Sequence, residues 1–189
     1  MLTHKGTQTI QTQRLVLRRF ALGDAQAMFN NWARDDRVTK YLVWDPHESV
    51  ETSAGKLTEW VEQYEKDNCY HWAIEFEGEP VGSIGVVEIE DKHSRGTIGY
   101  CIGYDYWNKG IVTEALQAVI DYMFSDVKMN KLYAYHDVEN IGSGRVMEKC
   151  GMVQEGLLRE DMLRRDGTYG DMRLLGIMRS EWTKKQKAE

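Results

Sequence analysis

Tyr104-Asp105-Tyr106-Trp107-Asn108-Lys109-Gly110-Ile111-Val112-Thr113-Glu114-Ala115-Leu116 is the stretch on which the reading of this chain turns. The residues before it, Ile98 to Gly103, read as a short strand, and the polar turn that follows opens directly into a helix. Val112, Ala115, Leu116, Val119, Ile120 and Met123 recur at the spacing that lines one helix face. A strand, tight turn and helix in that order present unpaired backbone N–H groups and the positive end of a helix dipole to the outside. Phosphates bind at such places. The residues also suit an ordinary strand-to-helix junction with a glycine, so the turn alone does not decide.

At 189 residues the chain fits one domain with a self-sufficient core, and 42% apolar and 29% charged residues are ordinary for a soluble protein. Cys69, Cys101 and Cys150 are far apart, with no CxxC and no His at ligand spacing, so neither a disulfide framework nor a metal site is expected. The start, Met1 to Gln13, is polar and has no signal-peptide core, and no apolar run is long enough to span a membrane. A cytoplasmic location is expected. The formal net charge of −6 argues against a nucleic-acid partner and mildly favours a cationic one.

Outward from the turn, the pattern alternates strands and helices without repeats or linkers. Strands are expected at Gln13 to Phe20, His71 to Phe76, Val81 to Glu90, Thr97 to Tyr104, Lys131 to Val138, Met152 to Arg164 and Tyr169 to Met178. Asp166-Gly167 marks a tight hairpin between the last two. Helices are expected from the N-cap Asp24 to about Trp32, from Ser49 to about Asp67, from Gly110, and from Asn140 to Cys150. Residues 1–11 read as a flexible tail, 12–182 as the domain and 183–189 as a polar tail.

The turn fits neither common nucleotide motif: there is no GxxxxGK and no GxGxxG. Gly110 would let a pyrophosphate approach the backbone without a Cβ in the way. A second candidate site begins at Asn140, whose plainest reading is an N-cap. Gly142 and Gly144 each cost a helix about 1 kcal/mol relative to alanine, which a ligand lying against that backbone would rationalise. Ser143, Val146, Met147 and Cys150 form the inward stripe of this helix.

Together, Tyr104 to Leu116 and Asn140-Ile141-Gly142-Ser143-Gly144-Arg145-Val146-Met147-Glu148-Lys149-Cys150-Gly151-Met152-Val153-Gln154-Glu155-Gly156 resemble the GNAT acetyltransferases. The branch they resemble is that of the ribosomal-protein N-terminal acetyltransferases, the RimJ/RimL type. Thr12 to Arg18 and the stretch from Leu158 to Asp171 match the same branch. The resemblance implies an α/β (α+β) fold, a mixed and mostly antiparallel sheet of about six to seven strands with about four helices. One strand pair should splay apart to admit the pantetheine arm of acetyl-CoA.

The family's pyrophosphate loop has Gln or Arg, two variable residues, Gly, a variable residue, then Gly or Ala. Here those positions are Trp107, Asn108, Lys109, Gly110, Ile111 and Val112; Val112 departs from the pattern in bulk. Thr113 would add a hydroxyl to a phosphate. The resemblance assigns the backbone of Cys101, Ile102 and Gly103 to one side of the pantetheine and Asn140 to the other. The chemistry is attack of a neutral amine on the thioester and protonation of the departing thiolate. Many relatives use a tyrosine seven residues after the Asn, where this chain has Met147; in the Rim-type branch the acid is the Ser three residues after it, here Ser143. No base stands out: Tyr135 occupies the position of a glutamate in some relatives, and His136, Asp137, Glu88 and Glu114 are the alternatives.

The missing base bears on the acceptor. An α-amine of pKa near 8 is roughly a fifth neutral at pH 7.4, whereas a lysine-like amine is neutral only about one part in a thousand. This favours a protein N-terminus over a polyamine, amino acid or antibiotic; a catalytically silent acetyl-CoA-binding module is the third option. A homodimer is left open, and no metal is expected. Trp32, Trp60, Tyr64, Tyr70 and Trp72 read as core, and Trp44, in a loop, as the candidate lining of the acceptor pocket.

Overall fold

The computed structural model describes residues 2–186. Among them, eight strands form one sheet: β1 (Ile10–Gln11), β2 (Leu15–Arg18), β3 (His71–Phe76), β4 (Glu79–Glu90), β5 (Arg95–Ile102), β6 (Lys131–Asp137), β7 (Val153–Leu163) and β8 (Tyr169–Met178). Their order is β1-β2-β3-β4-β5-β6-β8-β7. The β5–β6 pair is parallel and the others are antiparallel. A parallel neighbour needs a long crossover, and the helix that follows the polar turn, Ile111–Ser125, supplies it.

The helices are α1 (Ala25–Met28), α2 (Asp36–Thr39), α3 (Val50–Gln63), α4 (Ile111–Ser125), α5 (Ile141–Lys149) and α6 (Arg179–Gln186). Helices α4 and α5 pack on one face of the sheet, where Leu116, Val119, Ile120, Met123 and Met147 join Ile84, Ile98, Leu132 and Ala134 in the main core. The first helical residues and α3 pack on the other face with Phe20, Met28, Trp32, Leu57 and Tyr64. The mixed, mostly antiparallel α/β fold is as expected, with one strand and two helices more. β1, two residues long, is too short to carry a periodic signal.

Several expectations change. Residues 2–11 are held rather than free: Thr7 is buried, its Oγ1 donates to the Cys69 carbonyl (2.9 Å) and accepts from the His71 N–H (2.9 Å). The Trp72 indole donates to the Gln8 carbonyl (2.7 Å). Part of the expected C-terminal tail is α6, tied back by a Trp182 to Asp121 hydrogen bond of 2.6 Å; residues 187–189 lie outside the described residues. Asp24 is not a side-chain N-cap. Its carboxylate takes the Arg18 guanidinium (2.8 and 2.9 Å) and the Ala21 N–H, and α1 gives way to a π-helical turn at Phe29–Ala33. The β7–β8 hairpin is not a two-residue turn: Gly167, at φ +83, closes a longer loop in which the Arg164 N–H meets the Thr168 carbonyl.

Candidate active site

The polar turn ends in an unusual backbone. Asn108 has φ +59 and Gly110 φ +74, both left-handed. Gly110 is the N-cap of α4 and no side chain caps the helix there. The N–H groups of Ile111, Val112 and Thr113 therefore have no partner within the helix. By contrast, the Ser49 Oγ accepts the Thr52 N–H at the start of α3. Glycine at 110 is demanded by its φ; a Cβ there would meet only the Arg14 guanidinium, at 3.5 Å. The Val112 side chain points into the main core, 8% exposed, so its bulk is spent on packing.

A clamp that the sequence reading missed holds this turn. The Glu114 carboxylate accepts from the Thr12 hydroxyl (2.7 Å), the Arg14 N–H (2.9 Å) and Arg14 Nε (2.7 Å). Arg14 Nη1 then reaches the Lys109 carbonyl at 3.0 Å. Burial raises the Glu114 pKa, but the hydrogen bonds from Thr12 and Arg14 outweigh it and hold the carboxyl below its ordinary value. Glu114 therefore braces the turn as an ion-paired carboxylate. Trp107 folds back over the strand, its indole N–H donating to the Ile102 carbonyl (3.0 Å) and its ring against Tyr104.

Next to the turn the sheet opens. The β5–β6 ladder runs from Arg95↔Lys131 to Ile98↔Ala134 and stops, although β5 continues to Ile102 and β6 to Asp137. The Gly103 N–H donates to the Val81 carbonyl (2.9 Å), which fixes the alternation along β5. Cys101 and Gly103 direct their peptide groups at β4, whereas Tyr100 and Ile102 direct theirs into the gap. Of the three backbone positions expected there, Ile102 faces the gap; Cys101 and Gly103 do not, and Tyr100 does.

Helix α5 borders the gap. The Asn140 Oδ1 accepts the Ser143 N–H at 3.3 Å, so Asn140 does cap its helix. Ser143 Oγ lies 2.9 Å from the Tyr100 hydroxyl, which also donates to the Ser143 carbonyl at 3.1 Å. A Cβ on Gly144 would sit 2.7 Å from His136 Nε2, so the imidazole, not a ligand, accounts for that glycine. Gly142 has open space beside it apart from the Asn140 oxygen at 3.8 Å. Met147 is buried in the core.

The base candidates separate as clearly. Asp137 is buried and gripped by Arg164 (2.7 and 2.9 Å); burial raises its pKa, but that hydrogen-bonded pair and the Glu139 N–H bring it below the usual value. His136 gives Nδ1 to the Asp137 carbonyl (2.8 Å) and lies with its Nε2 against Gly144. Glu88 stands exposed at a bulge of β4, with Thr97 Oγ1 at 3.5 Å. Half-exposed Tyr135 faces it electrostatically; burial and then the Glu88 charge raise the phenol pKa. Trp44 packs against His47 and the second cluster.

The chain as a whole is similar to known proteins. Residues 14–153 match the model of the acetyltransferase (GNAT) domain, and the chain belongs to that family. It is 31% identical over 172 residues to an uncharacterized N-acetyltransferase, YoaA, of Bacillus subtilis (strain 168), covering 90% of this chain and 96% of that one. A putative ribosomal N-acetyltransferase, YdaF, of the same organism is 28% identical, covering 67% and 68%. The spermidine N(1)-acetyltransferase of Vibrio cholerae serotype O1 is 25% identical, covering 89% and 95%. Among solved structures, a GNAT-family acetyltransferase from Bacillus anthracis superposes with a TM-score of 0.80 at 26% identity, covering 92% and 99%. The chain is an acetyl-CoA-dependent N-acetyltransferase. Among the described residues no helix is long and apolar enough to cross a membrane.

Proposed function

We propose that the enzyme acetylates the N-terminal α-amine of a protein, a ribosomal protein in the first instance. The observation that carries the site is the gap between β5 and β6, which opens between the uncapped start of α4 and Ser143. In this reading the phosphates of acetyl-CoA lie on the backbone of Trp107, Asn108, Lys109, Gly110, Ile111, Val112 and Thr113, with the Thr113 hydroxyl at hand. The pantetheine arm enters the gap along Ile102, with Asn140 on its other side. The amine attacks from the face carrying Glu88 and Tyr135, and Ser143 protonates the departing sulfur. Asp137 and Glu114 are tied into ion pairs, which leaves Glu88 as the carboxylate open to the acceptor face. A site with so little base suits an amine that is already partly neutral at physiological pH.

The likeness to a spermidine acetyltransferase and the net charge of −6 support a second reading, transfer to a small polycationic amine. Thiol release from acetyl-CoA, followed over a panel of peptide N-termini, polyamines and amino acids, separates them. Turnover confined to free small amines would sink the first reading; calorimetric binding of acetyl-CoA with no turnover on any amine would sink both.

A further inference from the structure

Helices α1, α2 and α3 cover only part of the second face of the sheet. Their cluster takes in Ala73 of β3 and reaches Cys101 of β5; among the described residues it includes none from β6, β7 or β8. On those strands the side chains that turn away from the main core stay open. Leu132, Ala134, Leu175 and Ile177 belong to that core, so Tyr135 and Leu174, which stand opposite each other, point to the other face. Leu158 joins them through its β8 partner Met172. From β4 comes Val87, whose Cγ1 would lie 3.2 Å from a Cβ on Gly99. Val87 is 68% exposed, Tyr135 39% and Leu158 36%. Single exposed apolar residues are ordinary, whereas several on one face mark a contact surface. Gly99 and Tyr135 directly follow Ile98↔Ala134, the last pair of the β5–β6 ladder, so this trough starts where the gap opens. Burial and then the charges of Glu88 and, more weakly, Asp161 lift the Tyr135 phenol above its ordinary pKa, and both carboxylates are thus within electrostatic reach of the ring.

We propose that this trough seats the residues that follow the acceptor's amine, and that it selects polypeptide N-termini carrying a large apolar side chain at the second or third residue. The proposal rests on the protein N-terminus reading above and narrows it. An extended chain advances about 3.3 Å per residue, so with the amine in the gap the next two residues lie over Tyr135, between Val87 on β4 and Leu158 on β7. Taking one leucine-sized side chain out of water there is about tenfold in affinity or more. Glu88 and Asp161 attract the terminus while it is still an ammonium ion. A polyamine would gain from the carboxylates alone. A second copy of the chain fits this face less well. In a twofold contact the patch meets itself, which brings the Glu88 and Asp161 carboxylates of both copies together, while the nearby Arg95 and Lys131 are already paired with Glu90 and Glu155.

The test follows thiol release from acetyl-CoA with tetrapeptide amides that share a first residue and carry Gly, Ser, Leu or Phe at the second or third. Leu and Phe peptides should exceed their Gly and Ser counterparts about tenfold in kcat/KM, through KM. Val87→Ser and Leu158→Ser change exposed side chains and should each shrink that ratio at least threefold, with KM for acetyl-CoA as in the wild-type protein. If peptide N-termini turn over with no dependence on the second and third residues, the proposal fails while the N-terminal reading stands. An apolar preference that survives both substitutions lies elsewhere on the protein and also overturns the proposal. Sedimentation at the assay concentration checks the remaining occupant: a dimer that Val87→Ser and Leu158→Ser dissociate would give the face to a second copy and end the proposal. Turnover confined to free small amines, or none on any amine, overturns the proposal and the reading beneath it together.

Discussion

The N-termini of α4 and α5 are built from the same parts, a strand, a short polar turn and a helix marked by glycine, and they end up opposite in character. At α5 the chain satisfies itself: Asn140 caps the helix, and His136 fills the space that Gly144 leaves. At α4 it does not: no side chain caps the helix, Asn108 and Gly110 hold left-handed backbone, and the nearby carboxylate is turned away to Arg14 and Thr12. A helix start with orphan N–H groups is a standing invitation to an anion; a capped one is a structural element. The glycines therefore mean different things, backbone handedness at 110 and room for a neighbour at 144.

The comparison can be broken most directly by giving α4 what α5 has. Gly110→Asp adds both a capping oxygen and a negative charge at the left-handed position; CoA affinity should fall about 100-fold, near 3 kcal/mol, by calorimetry. Thermal stability should change far less, and unchanged CoA affinity would end the assignment of this turn to phosphates. The α5 glycines sharpen the other side. Gly144→Ala must push into the His136 ring and should cost about 1–3 kcal/mol in denaturant unfolding, whereas Gly142→Ala, with open space, should gain up to about 1 kcal/mol. Equal effects at the two positions would contradict the role given to His136.

Smaller effects are expected around the clamp and the cap. Arg14→Ala frees Glu114 and the Lys109 carbonyl together, so KM for acetyl-CoA should rise about tenfold with kcat unchanged, a loss of about 1.4 kcal/mol of binding. A fall in kcat without a change in KM would place Arg14 elsewhere in the mechanism. Asn140→Ala should cost about 1 kcal/mol of stability through the lost cap, read from the unfolding midpoint. Any larger loss of CoA affinity in that variant measures what Asn140 adds to the cofactor beyond capping.

Periodic, locally encoded features were legible in the sequence. The stripe from Val112 to Met123 is buried as its spacing requires, and seven of the eight strands lie where alternation and turn residues put them. What escaped has no local signature. The clamp joins Thr12 and Arg14 to Glu114 across some hundred positions, and the Tyr100–Ser143 bond joins β5 to α5. β1 is too short to show a period, and residues 2–11 are held by hydrogen bonds to Cys69, His71 and Trp72, some sixty positions away in the chain. The direction of the peptide groups along β5 was also hidden. It depends on which pairs with β4 are hydrogen-bonded: of Cys101, Ile102 and Gly103 only Ile102 faces the gap, and Tyr100 joins it.

The amino-acid sequence by itself determined the class of fold, the helix that follows the polar turn, and the family to which the two glycine-marked helices belong, because periodicity, capping residues and motif order are local properties. Only the tertiary structure decided which helix start remains open, which carboxylates are already paired, and which hydroxyl stands behind Ser143. Those depend on groups far apart in the chain meeting at hydrogen-bond distance, and such meetings are set by the packing of the sheet and its helices.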